Sequence, residues 1–223
     1  MHALILAGGS GTRLDLGEKP LVTIKGRPMI EYVIDAFRVA GHEVIVVLSK
    51  KTPYTHNWCR ARGIPSLTAS GSGYIEDIVE AAGFLEEMNP FFTCVADLPC
   101  LKPAVIQEIE EKYRDSGKEA CSVWVPKDLA MNSGCRSSYV GEVCGVPACP
   151  AGINILRGDM ITRPQEEFQL LLYEKNLVFN INTRDELERL RLVFPGREPE
   201  KQKEQSVFSD SSDNRRNNIS DHH

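Results

Sequence analysis

Short apolar runs alternate along the chain with longer segments that carry apolar residues at helical spacing, and this alternation restricts the fold more than any other feature. Residues 43–48 form a run rich in β-branched side chains, which is typical of a strand buried on both faces of a parallel sheet. Residues 28–40 and 74–88 repeat apolar side chains every three to four positions, as an amphipathic helix does. Because strands and helices follow one another through short connections, the sequence predicts an α/β fold, a mainly parallel sheet with helices on both faces.

The other elements continue this rhythm. Further strands are predicted at 2–7, 65–69, 90–96, 119–125, 151–156 and 177–181, and further helices at 52–62, 103–114, 165–173 and 184–193. Thr183, followed three residues later by Glu186, predicts a capping box at the start of the last helix. The glycine- and proline-rich stretch 127–151 breaks the alternation, and we expect an irregular excursion or hairpin there.

The composition changes near the C-terminus, and this change divides the chain in two. Residues 1–194 are long enough for one domain with a sizeable core. Residues 195–223 are mostly Lys, Glu, Gln, Ser, Asp and Asn. A segment this polar cannot bury enough surface to order itself, so a disordered polar tail is predicted.

Charge and composition exclude several classes of function. The net charge is −5, whereas a nucleic-acid-binding protein needs a basic face. The first residues do not predict a signal peptide, and no run approaches the roughly 18 uncharged apolar residues of a membrane span. The seven cysteines include no C-x-x-C pair, which favours buried reduced thiols over a metal cluster. A cytoplasmic protein that binds neither nucleic acid nor membrane is therefore expected.

A glycine-rich segment follows the first predicted strand. It comprises Leu6, Ala7, Gly8, Gly9, Ser10, Gly11, Thr12 and Arg13, and the segment Glu18-Lys19-Pro20-Leu21 comes shortly after it. Closely spaced glycines leave backbone N–H groups free to face anionic oxygens. Arg13 adds a bidentate phosphate donor and Lys19 a point charge. A tight turn with ordinary surface cations is the alternative, and the pattern is neither a P-loop nor a G-x-G-x-x-G dinucleotide motif.

Two later segments also carry polar side chains of interest. The strand 90–96 ends at Asp97, where a carboxylate lies at the ligand-binding edge of an open α/β sheet and can hold Mg²⁺. Asp97 could instead cap the helix near Pro103. On the strand predicted at 177–181, Asn180 and Asn182 would share a face. Their amide oxygens could complete a metal shell or bind a ribose hydroxyl or phosphate, or Asn182 could be only a turn or cap residue.

Taken together, the glycine segment and Glu18-Lys19-Pro20-Leu21 resemble the signature loop of the Rossmann-like nucleotidyltransferase superfamily. That resemblance implies a nucleotidyltransferase-type fold, a metal shared by Asp97 and Asn182, and catalytic roles for Arg13 and Lys19. It also implies base contacts in the turn that holds Ser70, Gly71 and Gly73. There Glu76 or Asp77 could accept hydrogen bonds from guanine, although acidic residues in a first helical turn are also common caps.

Three further motifs narrow the resemblance: S-G-x-G-Y-I-E-D from Ser70, P-A-G-I-N from Pro150, and F-N-I-N-T from Phe179. With the glycine segment, they make residues 1 to about 194 similar to the archaeal-type adenosylcobinamide-phosphate guanylyltransferases. The resemblance implies Mg²⁺-dependent transfer of GMP from GTP to adenosylcobinamide phosphate. It adds Gly152 and Asn180 to the residues expected to bind GTP.

Other acceptors and a non-catalytic role are the competing interpretations. Asp97-Leu98-Pro99 is equally similar to the molybdenum-cofactor guanylyltransferases, and a sugar-phosphate nucleotidyltransferase is a related alternative. A GTP-binding regulatory module would not need Arg13, Lys19, Asp97 and Asn182 together. The cysteine-containing stretch 135–149 matches no recognised pattern and leaves the acceptor side of the site open. The sequence does not determine the oligomeric state, for which a homodimer is one expectation.

Overall fold

The computed structural model describes residues 1–9, 11, 14, 16–134 and 139–194 of the 223-residue chain. In this part of the chain the strands are β1 (His2–Leu6), β2 (Thr23–Ile24), β3 (Arg27–Pro28), β4 (Glu43–Leu48), β5 (Ser66–Thr68), β6 (Pro90–Val95), β7 (Ala120–Pro126), β8 (Gly141–Val143), β9 (Val146–Arg157) and β10 (Glu167–Leu171). The α-helices are α1 (Met29–Val39), α2 (Pro53–Ala61), α3 (Tyr74–Phe84), α4 (Pro103–Ser116), α5 (Lys127–Asn132) and α6 (Arg184–Val193). Single 3₁₀ turns lie at Lys19–Leu21, Gly158–Met160 and Lys175–Leu177.

The main sheet has the strand order β10-β7-β9-β6-β1-β4-β5, and β8 pairs with β9 at one side. β1 pairs in parallel with both β4 and β6, β4 with β5, and β7 with β10. The long β9 runs antiparallel between β6 and β7. This confirms the predicted mainly parallel sheet, with β9 as an antiparallel insertion.

Helices cover both faces of the sheet, as the alternation of strand and helix predicted. Alternate residues of β1 enter different apolar clusters, because successive side chains of a strand point to opposite faces. Ala3 and Ile5 pack with the apolar sides of α1 and α4, whereas Leu4 packs with that of α3. None of the described helices is long and apolar enough to span a membrane.

Two of the predicted elements are wrong. Residues 165–173 were expected to be helical, but β10 occupies Glu167–Leu171 and pairs with β7. Its buried Leu170 lies between partly exposed and polar neighbours, an alternation that a helical interpretation overlooked. Residues 177–181 form no strand: after the 3₁₀ turn at Lys175–Leu177 the chain crosses from the sheet edge at β10 to the end of β6. A segment that crosses strands cannot pair with them, so its apolar side chains indicated burial rather than extended structure.

The hairpin expected within 127–151 is present. β8 and the start of β9 pair antiparallel, and Cys144 and Gly145 form the turn with φ values of 51° and 76°. The predicted capping box is also present, since the Thr183 hydroxyl accepts from Glu186 N while the Glu186 carboxylate accepts from the Thr183 backbone. The tail predicted at 195–223 lies outside the described residues.

Candidate active site

The carboxyl ends of β6, β1 and β4 lie side by side in the middle of the sheet. The chain leaving β1 passes to β4 on one side, while β6 lies on the other, and such switch points are where open α/β sheets bind ligands. A first cavity of about 450 Å³ opens here. It is lined by Leu6, Ala7, Gly8, Gly9, Gly11, Lys19, Pro20, Lys51, Gly71, Gly73, Tyr74, Asp77, Val95, Ala96, Asp97 and Asn182.

Lys19 connects the candidate metal ligands at one side of the first cavity. Its Nζ forms an ion pair with the Asp97 carboxylate and donates to Asn182 Oδ1 at 2.8 Å. The side chains of Lys19 and Asp97 are only 16% and 14% exposed. An ion pair this shielded from solvent is screened less than a surface pair, so the three side chains hold one another in place.

The Asn180 side chain lies against the same carboxylate. With its amide nitrogen turned toward Asp97, it donates to Oδ2 at 3.1 Å and to Oδ1 at 3.2 Å. Its backbone oxygen accepts from Asn182 Nδ2 at 3.2 Å. Asp97, Asn180 and Asn182 therefore converge even though the strand that was expected to align the two asparagines is absent.

The capping box of α6 positions Asn182. The buried Glu186 carboxylate accepts from the backbone N of Asn182 at 2.7 Å and from that of Thr183 at 2.9 Å. Ile181 N donates to the backbone oxygen of Asp97 at 3.1 Å. The start of α6 is thus tied directly to the end of β6, which explains why residues so distant in the chain meet here.

The connection between β4 and α2 holds the two glycine turns of the first cavity. Ser49 Oγ donates to the backbone oxygen of Gly8 at 2.6 Å. Lys51 Nζ donates to the backbone oxygen of Gly71 at 2.9 Å. The sequence interpretation missed both residues, although Ser49 and Lys51 directly follow a predicted central strand, a position that could have identified them.

The structure distinguishes the two acidic residues at the start of α3. Asp77 is buried, lines the first cavity, and accepts from Gly71 N through Oδ1 at 2.9 Å. Glu76 is exposed, and its carboxylate folds back beside Gly73. Ser70 is also exposed, and its backbone N donates to Glu80 Oε2 at 2.8 Å. Of these residues, only Asp77 presents a carboxylate to the cavity.

A second cavity of about 820 Å³ adjoins the first and shares Tyr74, Val95 and Asn182 with it. Gly152 and Asn180, both expected at the GTP site, line this second cavity rather than the first. Gly152 has a φ of 78°, and a Cβ there would lie 2.6 Å from Val95 Cγ2. Glycine is therefore required where β9 passes the end of β6.

Tyr74 lines both cavities, and Asn154 beside it lines the second. Asn154 Nδ2 donates to the Tyr74 hydroxyl and to Thr93 Oγ1, each at 3.3 Å. Desolvation raises the pKa of the Tyr74 hydroxyl to about 12. The hydroxyl therefore stays protonated at neutral pH and remains available as a donor.

Of the remaining candidates, Ser10, Thr12 and Arg13 lie outside the described residues. Within the described part of the chain, no group of three His, Cys, Asp or Glu side chains is placed to hold a metal ion. The polar side chains that meet where the two cavities adjoin are instead one carboxylate, two amides and one ammonium, those of Asp97, Asn180, Asn182 and Lys19.

Gly11 is expected to be more sensitive to substitution than Gly17, because Lys19 packs against it. Both have positive φ, 59° and 83°, but a Cβ on Gly11 would lie 2.6 Å from Lys19 Cβ, whereas one on Gly17 meets nothing within 4 Å. In Gly17→Ala the left-handed backbone alone should lower the free energy of unfolding by about 1–2 kcal/mol. In Gly11→Ala, overpacking against Lys19 should lower the free energy of unfolding by about 1–3 kcal/mol more than in Gly17→Ala.

Denaturant unfolding of the two variants measures this difference directly. Equal losses in Gly11→Ala and Gly17→Ala would mean that Lys19 does not pack against the glycine segment as described.

Comparison with known proteins identifies the family of the chain. The sequence model of the MobA-like NTP transferase domain matches residues 3–199. Adenosylcobinamide-phosphate guanylyltransferase of Methanocaldococcus jannaschii is 33% identical over 207 residues, which cover 87% of this chain and 97% of that protein. A molybdenum cofactor guanylyltransferase of Yersinia pestis is 22% identical over 125 residues, which cover 56% of this chain and 61% of that protein.

A solved structure shares the fold. Molybdopterin-guanine dinucleotide biosynthesis protein A from Archaeoglobus fulgidus superposes with a TM-score of 0.61 at 18% sequence identity. The superposition covers 86% of this chain and 98% of the other.

Proposed function

Because the chain belongs to the MobA-like NTP transferase family, we propose that it transfers GMP from GTP to adenosylcobinamide phosphate, with release of pyrophosphate. The observation that carries the proposal is the cluster of Lys19, Asp97 and Asn182 at the seam between two cavities. A transferase must bring both substrates to the same charged side chains, whereas a module that only binds GTP needs a single cavity. The choice of acceptor rests on the relative that is 33% identical over nearly its whole length.

The reaction needs positioning and charge stabilisation more than a strong base. An oxygen of the acceptor phosphate attacks the α-phosphorus of GTP and forms a new P–O bond, while the bond from that phosphorus to the bridging oxygen breaks. The electron pair of the broken bond leaves with pyrophosphate. Since the second pKa of a phosphate monoester is about 6, the attacking oxygen is already ionised at neutral pH. Lys19 would then stabilise the charge that develops as the bond breaks.

The residues beside Lys19 fit a Mg²⁺ ion. Mg²⁺ is usually bound through one or two carboxylates together with waters and substrate phosphates, so Asp97 with the amide oxygen of Asn182 is a sufficient donor set. With its amide oxygen instead of its nitrogen turned toward a bound ion, Asn180 would add a third oxygen, since this end of the amide lies 3.1 Å from Asp97 Oδ2. Bound there, Mg²⁺ would neutralise charge on the phosphate oxygens of GTP.

The first cavity is the proposed GTP site. The backbone of Gly8, Gly9 and Gly11 would face the phosphates, and Asp77 would face the base. Asp77 Oδ2 lies close to Gly8 while Oδ1 is engaged by Gly71 N. A carboxylate oxygen in this position can accept from N1–H and the 2-amino group of guanine, which adenine lacks.

Asp77→Asn is expected to lower kcat/KM for GTP by about 10–100-fold, because a buried acceptor for a charged hydrogen bond is replaced by a donor. The asparagine oxygen can still accept from Gly71 N, so the turn should persist. The decrease in kcat/KM should be smaller with ITP, which lacks the 2-amino group. The comparison of GTP, ITP and ATP in steady-state kinetics measures the change.

Glu76→Gln is the matched control, because it alters the neighbouring exposed carboxylate in the same way. It should leave the preference for GTP over ITP and ATP unchanged. If Glu76→Gln abolished that preference and Asp77→Asn retained it, the base would be recognised by the exposed residue instead.

The second cavity is the proposed acceptor site. Its apolar wall includes Val125, Ala130 and Leu177, and polar groups of Asn154 and Arg189 face it. A volume of about 820 Å³ is within the range of sites that take sizeable organic ligands. A large acceptor with both apolar and amide surface therefore suits it better than a simple sugar phosphate.

Pyrophosphate release from each of the four NTPs, with Mg²⁺ and one of three acceptors, tests the proposal. We expect release with GTP and adenosylcobinamide phosphate together, and none when either is omitted. Pyrophosphate release with molybdopterin or glucose-1-phosphate, and not with adenosylcobinamide phosphate, would support nucleotidyl transfer but identify a different acceptor. Binding of GTP without release under any acceptor would favour a regulatory module.

A further inference from the structure

Glu18 reaches from the segment before Lys19 to the start of helix α2. Its Oε1 accepts from Tyr54 N at 2.7 Å, and its Oε2 accepts from Thr55 N and from Thr55 Oγ1, each at 2.6 Å. All three contacts join residues at least 36 positions apart in the chain. The single carboxylate is therefore a tertiary connection between the Lys19 segment and α2.

These contacts replace a cap that α2 lacks. The first N–H groups of a helix have no partner within the helix, and the side chain of the preceding residue usually accepts from one of them. Thr52 holds that position but makes no capping bond; its hydroxyl donates to the backbone oxygen of Ser49 at 3.2 Å. Glu18 accepts from the free N–H groups instead, and its negative charge is favourable at the positive end of the helix dipole.

The same β4–α2 connection holds the other end of the glycine segment. Ser49 Oγ donates to the backbone oxygen of Gly8, and its hydroxyl also accepts from Lys51 N at 3.1 Å. Gly8 and Glu18 are thus each hydrogen-bonded to the segment that runs from the end of β4 into α2. Lys19 comes directly after the second of these anchor points.

We propose that Glu18 is a positioning residue, which fixes the Lys19 ammonium beside Asp97 by capping α2. The inference rests on the proposed function, because it assigns Glu18 to the same reaction. Glu18 touches neither cavity, since it is absent from both linings, and so acts through Lys19. A displaced Lys19 would stabilise the developing charge less well without greatly changing how GTP binds.

Kinetics of Glu18→Ala and Glu18→Gln test the proposal in the full chain. Glu18→Ala should lower kcat by about 10–100-fold with little change in KM for GTP, because a small misplacement of a charge-stabilising group is costly. Glu18→Gln keeps one acceptor oxygen and should recover part of the loss. In a Lys19→Ala background, Glu18→Ala should cost little further, since residues that act as a unit are not additive.

Glu119→Ala is the control for a purely structural role. Glu119 also accepts a backbone N–H from a distant segment, that of Glu166 at 2.8 Å, but on the β7–β10 side of the sheet. The Glu119→Ala substitution should lower the free energy of unfolding without lowering kcat. A loss in Glu18→Ala that persists in full when Lys19 is already alanine would overturn the positioning role.

Chemical acetylation of Lys19, followed by mass spectrometry, gives a readout that does not require turnover. Lys19 should be protected in the wild type and in Glu119→Ala and lose its protection in Glu18→Ala. Unchanged protection in Glu18→Ala would refute the inference even if the enzyme were active. Loss of protection in a protein that releases no pyrophosphate would instead uphold the positioning of Lys19 while the proposed function failed.

Discussion

Replacing Lys19 by alanine is expected to lower kcat for pyrophosphate release by about 10²–10³-fold, the cost of removing one well-aimed charge from a transition state. Lys19 is the cation in contact with Asp97 and Asn182, and it lies in the first cavity next to its border with the second. Lys19→Met keeps most of the side-chain length without the charge, so it should cost as much as alanine. Single-turnover kinetics at saturating GTP and acceptor measure the effect.

The same substitution should strengthen binding of Mn²⁺, used as a probe for Mg²⁺, when no nucleotide is present. The Lys19 ammonium engages both proposed ligands, the Asp97 carboxylate and the Asn182 amide oxygen, and its charge repels a cation that shares them. Lys112→Ala removes an exposed lysine on α4 and should change neither kcat nor the affinity for Mn²⁺. Normal turnover in Lys19→Met would eliminate charge stabilisation as the role of this residue.

Asp97→Asn is expected to abolish measurable Mn²⁺ binding and to lower kcat by at least about 10²-fold, because the proposed site then holds no carboxylate. The substitution preserves the shape of the side chain but leaves Lys19 without its ion pair. Electron paramagnetic resonance of bound Mn²⁺ gives the affinity independently of turnover. Raising the Mg²⁺ concentration should restore little activity if the charge itself is needed.

Asp115→Asn is the matched control, since Asp115 is an exposed carboxylate near the end of α4. It should bind Mn²⁺ as the wild type does. If Asp97→Asn bound Mn²⁺ with wild-type affinity, the metal would have to be held elsewhere, and the assignment of Asp97 and Asn182 would be wrong.

The sequence predicted most elements of the sheet because their patterns are local. The β-branched run of β4 and the apolar spacing of α1 can be read within a few residues, as can the Thr183–Glu186 capping box. The two errors, at 165–173 and 177–181, concern short apolar segments whose conformation depends on where they lie. An edge strand and a segment that crosses the sheet end have similar composition, and the neighbours that distinguish them are distant in the chain.

Some residues of the candidate site could be identified from the local sequence, and others only from the tertiary structure. Asp97 was recognisable because it ends a predicted strand, and Lys19 because it follows a distinctive glycine segment. Choosing Asp77 over Glu76 required the structure, since both are in the first turn of the same helix and only the structure shows that Asp77 is buried and lines the cavity. Glu18 gave no signal beyond its place next to Lys19, because its partners on α2 are more than 30 residues away.

By itself, then, the sequence determined the α/β class, the order of most elements and the kinds of side chain available for phosphate and metal binding. Those properties depend on spacing and residue type, which a local pattern contains. The tertiary structure decided that β9 runs antiparallel, and that Gly152 and Asn180 face the second cavity rather than the first. It also decided that Glu18 caps α2, because such contacts arise only when the sheet brings together segments far apart in the chain.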